Sequence, residues 1–130
     1  MIKKKILVTG AAGFIGSKIC SQLLKRNYTV IGCDDFSSGL KKNVSKGMKF
    51  FNIDLSNKKK LSILPKNIDY IFHLAGQSSG EKSFEDPIND LNRNFITTYN
   101  LIDFAKKNFI KSFFYASSMS VYGNTVSKAN

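Results

Sequence analysis

Three glycines spaced three apart, Gly10, Gly13 and Gly16, separate a short apolar run from a helical repeat, and they restrict this chain more than any other feature. Ile6, Leu7 and Val8 before them suit a strand buried on both faces. Ile15, Ile19 and Leu23 after them recur every four residues, as the buried stripe of a helix does. Strand, glycine turn and helix, spanning Lys5 to Gly16, is the arrangement that takes the pyrophosphate of a dinucleotide. Gly10 permits the tight turn, Gly13 lets backbone approach phosphate, and Gly16 lets helix and strand pack closely. The first amides of a helix have no internal partner and carry partial positive charge, so they favour an anion. A glycine turn with no ligand is the plain alternative, and it calls for a second signal.

That signal follows the helix. Tyr28 to Cys33 reads as a second strand ending in Asp34-Asp35. Asp34 lies 34 − 16 = 18 positions after Gly16, near the spacing of about 20 expected for the acid that holds a ribose 2′-hydroxyl. A carboxylate there accepts from the hydroxyl and repels a 2′-phosphate, which favours NAD over NADP. No arginine follows closely; Lys41 and Lys42 are the nearest cations downstream and leave NADP as the weaker alternative.

The remaining pattern alternates strand and helix. Met48 to Ile53 is expected as a third strand, ending at Asp54-Leu55. Ser56 is expected to cap a brief helix through Leu61 to Leu64, with Pro65 ending it. Asp69 to Leu74 is expected as a fourth strand that closes on Ala75-Gly76, with a loop through Gln77 to Gly80. Pro87 is expected to open a long helix to Asn108, with Ile88, Leu91, Phe95, Thr98, Ile102 and Ala105 on one face. Lys111 to Ala116 is expected as the fifth strand, followed by Ser117-Ser118. Such alternation implies a doubly wound parallel sheet with helices on both faces, a Rossmann-like α/β fold in strand order 3-2-1-4-5. Ligands bind outside the carboxyl ends of such strands. Gly10–Gly16, Asp34, Asp54-Leu55, Leu74–Gln77 and Ser117–Ser120 are expected to meet on that edge.

With 130 residues, 42% hydrophobic, the chain is expected to form one globular domain over 1–130. Cys20 and Cys33 lack metal spacing and read as small buried apolar residues in a reducing, cytoplasmic setting. No apolar stretch approaches the ~20 residues a membrane helix needs. The net charge of +11 raises nucleic acid as a partner, yet only Arg26 and Arg93 are arginines. Base readout and stacking use arginine and exposed aromatics, and here the aromatics fall inside strand and helix patterns. A lysine-biased soluble surface is the preferred reading.

Taken together, these segments resemble the NAD-dependent epimerases and dehydratases, the extended short-chain dehydrogenases that act on nucleotide sugars. Thr9-Gly-Ala-Ala-Gly-Phe-Ile-Gly16 is similar to that family's cofactor loop, and Val30 to Asp34 resembles its second strand with the ribose-binding acid. Asn52-Ile-Asp54-Leu55 resembles the segment that meets adenine; His73-Leu-Ala-Gly76 resembles the family's His-x-Ala-Ala, with Gly76 in place of the last alanine. Asn94 matches an asparagine of the following helix, and Ser117-Ser118 through Gly123 resembles the run whose serine helps hold the substrate. The resemblance implies NAD contacts at Gly10, Gly13, Phe14, Ile15, Gly16, Asp34, Asp54, Leu55, Leu74, Ala75 and Gly76, and a partial catalytic role for Ser118. It implies a nucleotide-sugar substrate and a homodimer through helix 87–108, whose face with Phe95, Tyr99 and Leu101 reads equally as an interface or as core. His73 reads as a packed or backbone-bonded histidine in preference to a ligand, and Asn94 as a structural hydrogen-bonder.

The family's chemistry uses a Tyr-x-x-x-Lys pair, whose tyrosine takes a proton as hydride leaves for NAD. Tyr122 is followed four places on by Val126 and six places on by Lys128, so it matches the family's structural tyrosine and not its base. On this pattern the 130 residues are the cofactor part of a larger design, inactive alone. Met119-Ser120 stands where the sugar dehydratases of this family carry Asp-Glu, which points to an epimerase, decarboxylase or reductase. A dinucleotide-binding module without catalysis is the alternative. Phe113-Phe114-Tyr115 is expected to form an exposed apolar edge that pairs with other chains.

Overall fold

Five parallel strands run in the order β3-β2-β1-β4-β5 in the computed structural model, which describes residues 3–123. They are β1 (Lys5–Thr9), β2 (Thr29–Asp34), β3 (Lys49–Asn52), β4 (Tyr70–His73) and β5 (Ser112–Tyr115). This is the expected doubly wound, Rossmann-like sheet. The central register sets Leu7 of β1 beside Ile31 of β2 and Ile71 of β4.

Alternation along β1 divides the core in two. Ile6 and Val8 face α1 (Phe14–Lys25), packing with Ala11, Cys20 and Val30. Leu7 faces the opposite layer with Ile31, Ile71, Leu101 and Phe104. Both faces of a central parallel strand are covered, which is why its sequence is continuously apolar. Cys20 and Cys33 are free and buried, and burial pushes the Cys20 thiol up to about 12. Among the described residues no helix is long and apolar enough to cross a membrane.

Several local expectations are corrected. Ile15 is not part of the buried stripe of α1: Gly16 and Cys20 face the sheet, and Phe14 and Ile15 are exposed. The brief turn after β3 is a 3₁₀ segment (Lys58–Ile63) capped by Asn57, whose side chain accepts from Lys59 N. Ser56 instead donates its hydroxyl to Asp54 Oδ1 at 2.8 Å. The long helix expected from Pro87 forms, as three contiguous segments, and a separate short helix precedes it. α2 (Gly80–Glu85) precedes Asp86, which caps α3 (Pro87–Leu91) by accepting from Asn89 N. A π turn (Asn92–Ile96) then leads into α4 (Thr97–Lys107).

The inward face of this helix also differs from the one its apolar spacing suggests. Thr97, Asn100, Leu101 and Phe104 are buried, whereas Ile88, Leu91, Phe95 and Ile102 are exposed. Asn100 Nδ2 donates to the carbonyls of Leu55 at 3.1 Å and Ser56 at 2.9 Å. Two backbone acceptors that would otherwise lack partners thus draw a polar side chain inward. Phe14, Phe84, Phe95 and Phe109 are also exposed. β5 is an edge strand; Phe114 and Tyr115 are exposed as expected, but Phe113 is half-buried against the core. Val126 and Lys128 lie outside the described residues.

Candidate functional site

A cleft of about 320 Å³ opens at the carboxyl ends of the strands. Of the expected site residues, Gly10, Gly13, Asp34, Asp54, Leu55, Leu74, Ala75 and Gly76 line it. Phe14, Ile15, Gly16 and Ser118 do not. Phe14, Ile15 and Gly16 form the first turn of α1, beside the cleft. Ser118 is exposed, and its hydroxyl accepts from Ser120 N at 3.1 Å to cap the turn Met119–Tyr122.

The glycine turn is built by close backbone contacts. Gly10 takes φ +65°, a left-handed conformation that other residues resist, and a Cβ there would meet Ala75 N at 2.9 Å. A Cβ at Gly16 would lie 2.0 Å from the Gly10 carbonyl oxygen. α1 begins without a side-chain cap and with no acidic residue in its first turn. Its first amides therefore keep both their hydrogen-bonding capacity and the positive end of the helix dipole.

Asp34 faces this turn. Its carboxylate accepts from Ala12 N at 3.0 Å and from Phe36 N at 2.8 Å, joining the glycine turn to the loop after β2. Leu40 N and Asn43 Nδ2 both donate to the Ala12 carbonyl, at 3.1 and 3.0 Å, and hold that loop against the turn. Asp54 accepts from Ser56 N at 2.9 Å and stabilises its own bend while lining the cleft.

An ion pair that sequence reasoning did not anticipate crosses one side of the cleft. Arg93, in the π turn, pairs with Asp35 and donates to Ser37 Oγ at 3.1 Å. Burial acts to raise the Asp35 carboxyl, but hydrogen bonds from Ser37 and the Arg93 guanidinium outweigh it and hold the group below its ordinary value. Arg93 was visible only as one of two arginines in a lysine-rich chain. Lys82 adds a second cation to the lining.

The wall formed by Leu74 to Gln77 is held from beneath. Leu74 N and Ala75 N both donate to Thr9 Oγ1 at 3.1 Å. Asn94 grips the main chain of Gln77, accepting from its N–H at 2.8 Å and donating to its carbonyl at 3.1 Å. His73 is buried between Thr9 and Thr98, with ring centroids 5.8 Å from Phe113 and 5.7 Å from Tyr115. Burial lowers its pKa to about 4. Among the described residues every buried side-chain nitrogen and oxygen has a hydrogen-bond partner. No group of three or more metal-ligating side chains occurs among them.

A profile of the NAD dependent epimerase/dehydratase family matches residues 6–129. The chain is 36% identical over 126 residues to the UDP-glucose 4-epimerase of Mycolicibacterium smegmatis, covering 92% of this chain and 40% of that protein. It is 34% identical over 122 residues to UDP-glucuronic acid decarboxylase 1 of Danio rerio, covering 94% of this chain and 29% of that one. Among solved structures, the Thermus thermophilus UDP-glucose 4-epimerase in complex with NAD superimposes with a TM-score of 0.84 at 34% identity, over 88% of this chain and 37% of that one. The Thermotoga maritima UDP-glucose 4-epimerase with UDP-glucose gives 0.87 at 32% identity, over 95% and 41%. The chain thus spans less than half the length of each of these relatives.

Proposed function

Because the chain belongs to the NAD dependent epimerase/dehydratase family, we propose that it forms the NAD-holding part of an oxidoreductase acting on a nucleotide sugar. The observation that carries this reading is the placing of the Asp34 carboxylate, bound to Ala12 N at 3.0 Å and so turned toward the uncapped start of α1. A dinucleotide needs an anion site and a diol acceptor on one cleft, and the donor set fits both. The first amides of α1 would take the pyrophosphate. Asp34 would accept from the adenosine ribose and repel a 2′-phosphate, favouring NAD over NADP. Asp54 and Leu55 would border the adenine; Leu74, Ala75 and Gly76 would form the wall beside the rest of the cofactor.

When bound, NAD supplies a hydride acceptor for oxidation of a sugar hydroxyl. The residues of this chain bind and orient it. The proton-accepting tyrosine and its lysine are not provided here, since Tyr122 is paired with Val126 at the fourth place on. The 130 residues alone bind NAD and turn nothing over. The sugar carried on uridine diphosphate, named for several relatives, sets the substrate class of the complete design. Met119-Ser120 favours an epimerase, decarboxylase or reductase over a dehydratase. Two unpaired, buried cysteines suit the cytoplasm.

A second copy of the chain is the proposed partner for the outward face of α3, the π turn and α4, where Ile88, Leu91, Phe95, Tyr99 and Ile102 are exposed. A non-catalytic dinucleotide-binding module is the second reading. It is favoured by Ser118, whose hydroxyl serves its own turn and lies outside the cleft lining.

Titration calorimetry with NAD and with NADP, paired with a turnover assay on UDP-glucose and UDP-galactose, tests the proposal. Tighter binding of NAD without turnover supports it. Turnover by these residues alone contradicts the assignment of the base elsewhere, and tighter binding of NADP contradicts the role of Asp34.

A further inference from the structure

Side chains from β1, β4 and the helix beyond it form one continuous series of hydrogen bonds beneath the cleft. Thr9 Oγ1 accepts from Leu74 N and Ala75 N, at 3.1 Å each, and lies 2.7 Å from His73 Nδ1. A hydroxyl has two acceptor lone pairs and one proton. With both lone pairs taken by amides, the Thr9 proton has one direction left, toward His73 Nδ1. That ring nitrogen is therefore the acceptor, and a neutral imidazole must carry its proton on Nε2.

Nε2 lies 2.9 Å from Thr98 Oγ1, which donates its own proton to the Asn94 carbonyl at 2.6 Å. The direction of every bond follows from counting donors and lone pairs. The series ends in the π turn Asn92–Ile96, a helix irregularity of the kind that recurs at functional sites. There the Asn94 side chain takes hold of Gln77 by both backbone groups, at 2.8 and 3.1 Å.

The cleft wall is thus tied down twice. Thr9 holds Leu74 and Ala75, Asn94 holds Gln77, and His73 joins the two ties. The fit leaves no slack: a Cβ on Gly76 would lie 2.9 Å from Asn94 Oδ1, and one on Gly10 would lie 2.9 Å from Ala75 N.

We propose that His73, locked as the neutral Nε2–H tautomer between Thr9 and Thr98, is a positioning residue that couples the glycine turn to the π turn and thereby places the Leu74–Gln77 wall. Its tautomer and coupling stand apart from cofactor chemistry; only the expected effect on NAD affinity rests on the proposed function.

The chain has one histidine, so ¹⁵N labelling reports on His73 alone. In the native chain at neutral pH, the expected signature is a pyrrole-type Nε2 bearing the proton and a pyridine-type Nδ1. Thr98→Val removes the acceptor of Nε2 with little change of volume. It is expected to shift the Ala75 and Gln77 amide resonances and to weaken NAD binding about fivefold, the scale of one lost hydrogen bond. Thr98→Ser restores both. A proton on Nδ1, an even mixture of tautomers, or amide shifts confined to residues 94–98 in Thr98→Val would overturn the proposal. If the native chain shows the Nε2–H signature and Thr98→Val the coupled amide shifts, but the native chain binds no NAD, the positioning role stands and the cofactor reading falls. The tautomer measurement needs no variant to fold.

Discussion

Gly16 rests against Gly10 so closely that a Cβ on the first would lie 2.0 Å from the carbonyl oxygen of the second. Neither atom belongs to a flexible side chain, so the helix and the turn cannot both keep their places around an added methyl. Gly16→Ala is expected to destabilise the fold by at least about 1–3 kcal/mol, the scale of overpacking in a closed site. The amides at the start of α1 should be displaced with it. Chemical denaturation measures the first effect, and NAD titration of the remaining folded protein measures the second. An unchanged midpoint together with unchanged affinity would contradict the close packing.

Asp34 is the next test, because one carboxylate serves two masters. It holds Ala12 and Phe36 through their amides at 3.0 and 2.8 Å, and it faces the proposed ribose site. Hydrogen bonds to a charged group contribute about 1.5–3 kcal/mol. Asp34→Asn is expected to lower NAD affinity by about tenfold or more and to narrow the preference over NADP, since the charge that repels a 2′-phosphate is gone. Paired titrations with the two cofactors measure both.

Acid should weaken the fold through His73. Burial lowers its pKa from 6.5 to about 4, so the folded state keeps the ring neutral where the unfolded chain protonates it. The unfolded state then binds more protons between those two values, and stability falls as pH drops through that window. The full loss is roughly 3 kcal/mol, reached near pH 4, with no further contribution from this residue below it. Urea midpoints between pH 7.5 and 4.5 should show the decline, and His73→Gln should flatten it. An equal slope in that variant would assign the effect to other groups.

Self-association has two candidate surfaces, and single substitutions separate them. β5 is an edge strand with Phe114 and Tyr115 exposed, while Phe95 and Tyr99 are exposed on the helix. A lysine on an edge strand discourages pairing with other chains. Tyr115→Lys is expected to suppress open-ended aggregation, whereas Phe95→Glu is expected to convert a dimer to a monomer. Sedimentation velocity distinguishes these outcomes; a native monomer at high concentration would contradict both surfaces.

The sheet order and the glycine turn were legible because their signals are local. Ile6 to Val8 needs burial on both sides, and Gly10 needs its positive φ, whatever the rest of the chain does. The helix after Pro87 was legible in extent but not in orientation. Counting apolar residues puts Ile88, Leu91, Phe95 and Ile102 inside, yet the carbonyls of Leu55 and Ser56 call Asn100 inward instead. A hydrogen-bond demand set up 44 or 45 residues earlier leaves no periodic trace. Asp35 and Arg93 illustrate the same limit, since their pairing depends on a π turn that no local spacing announces. Four of the five expected edge segments contribute to one cleft, through Gly10, Asp34, Asp54 and Leu74 among others. The fifth, at Ser118, caps its own turn instead.

Amide NMR during NAD titration of the native chain tests the central claim most directly. Saturable shifts concentrated at residues 13–16 and 34–36, with smaller ones at 74–77, are the result expected if the start of α1 and Asp34 hold the dinucleotide. Shifts centred elsewhere, or none at millimolar NAD, would contradict it.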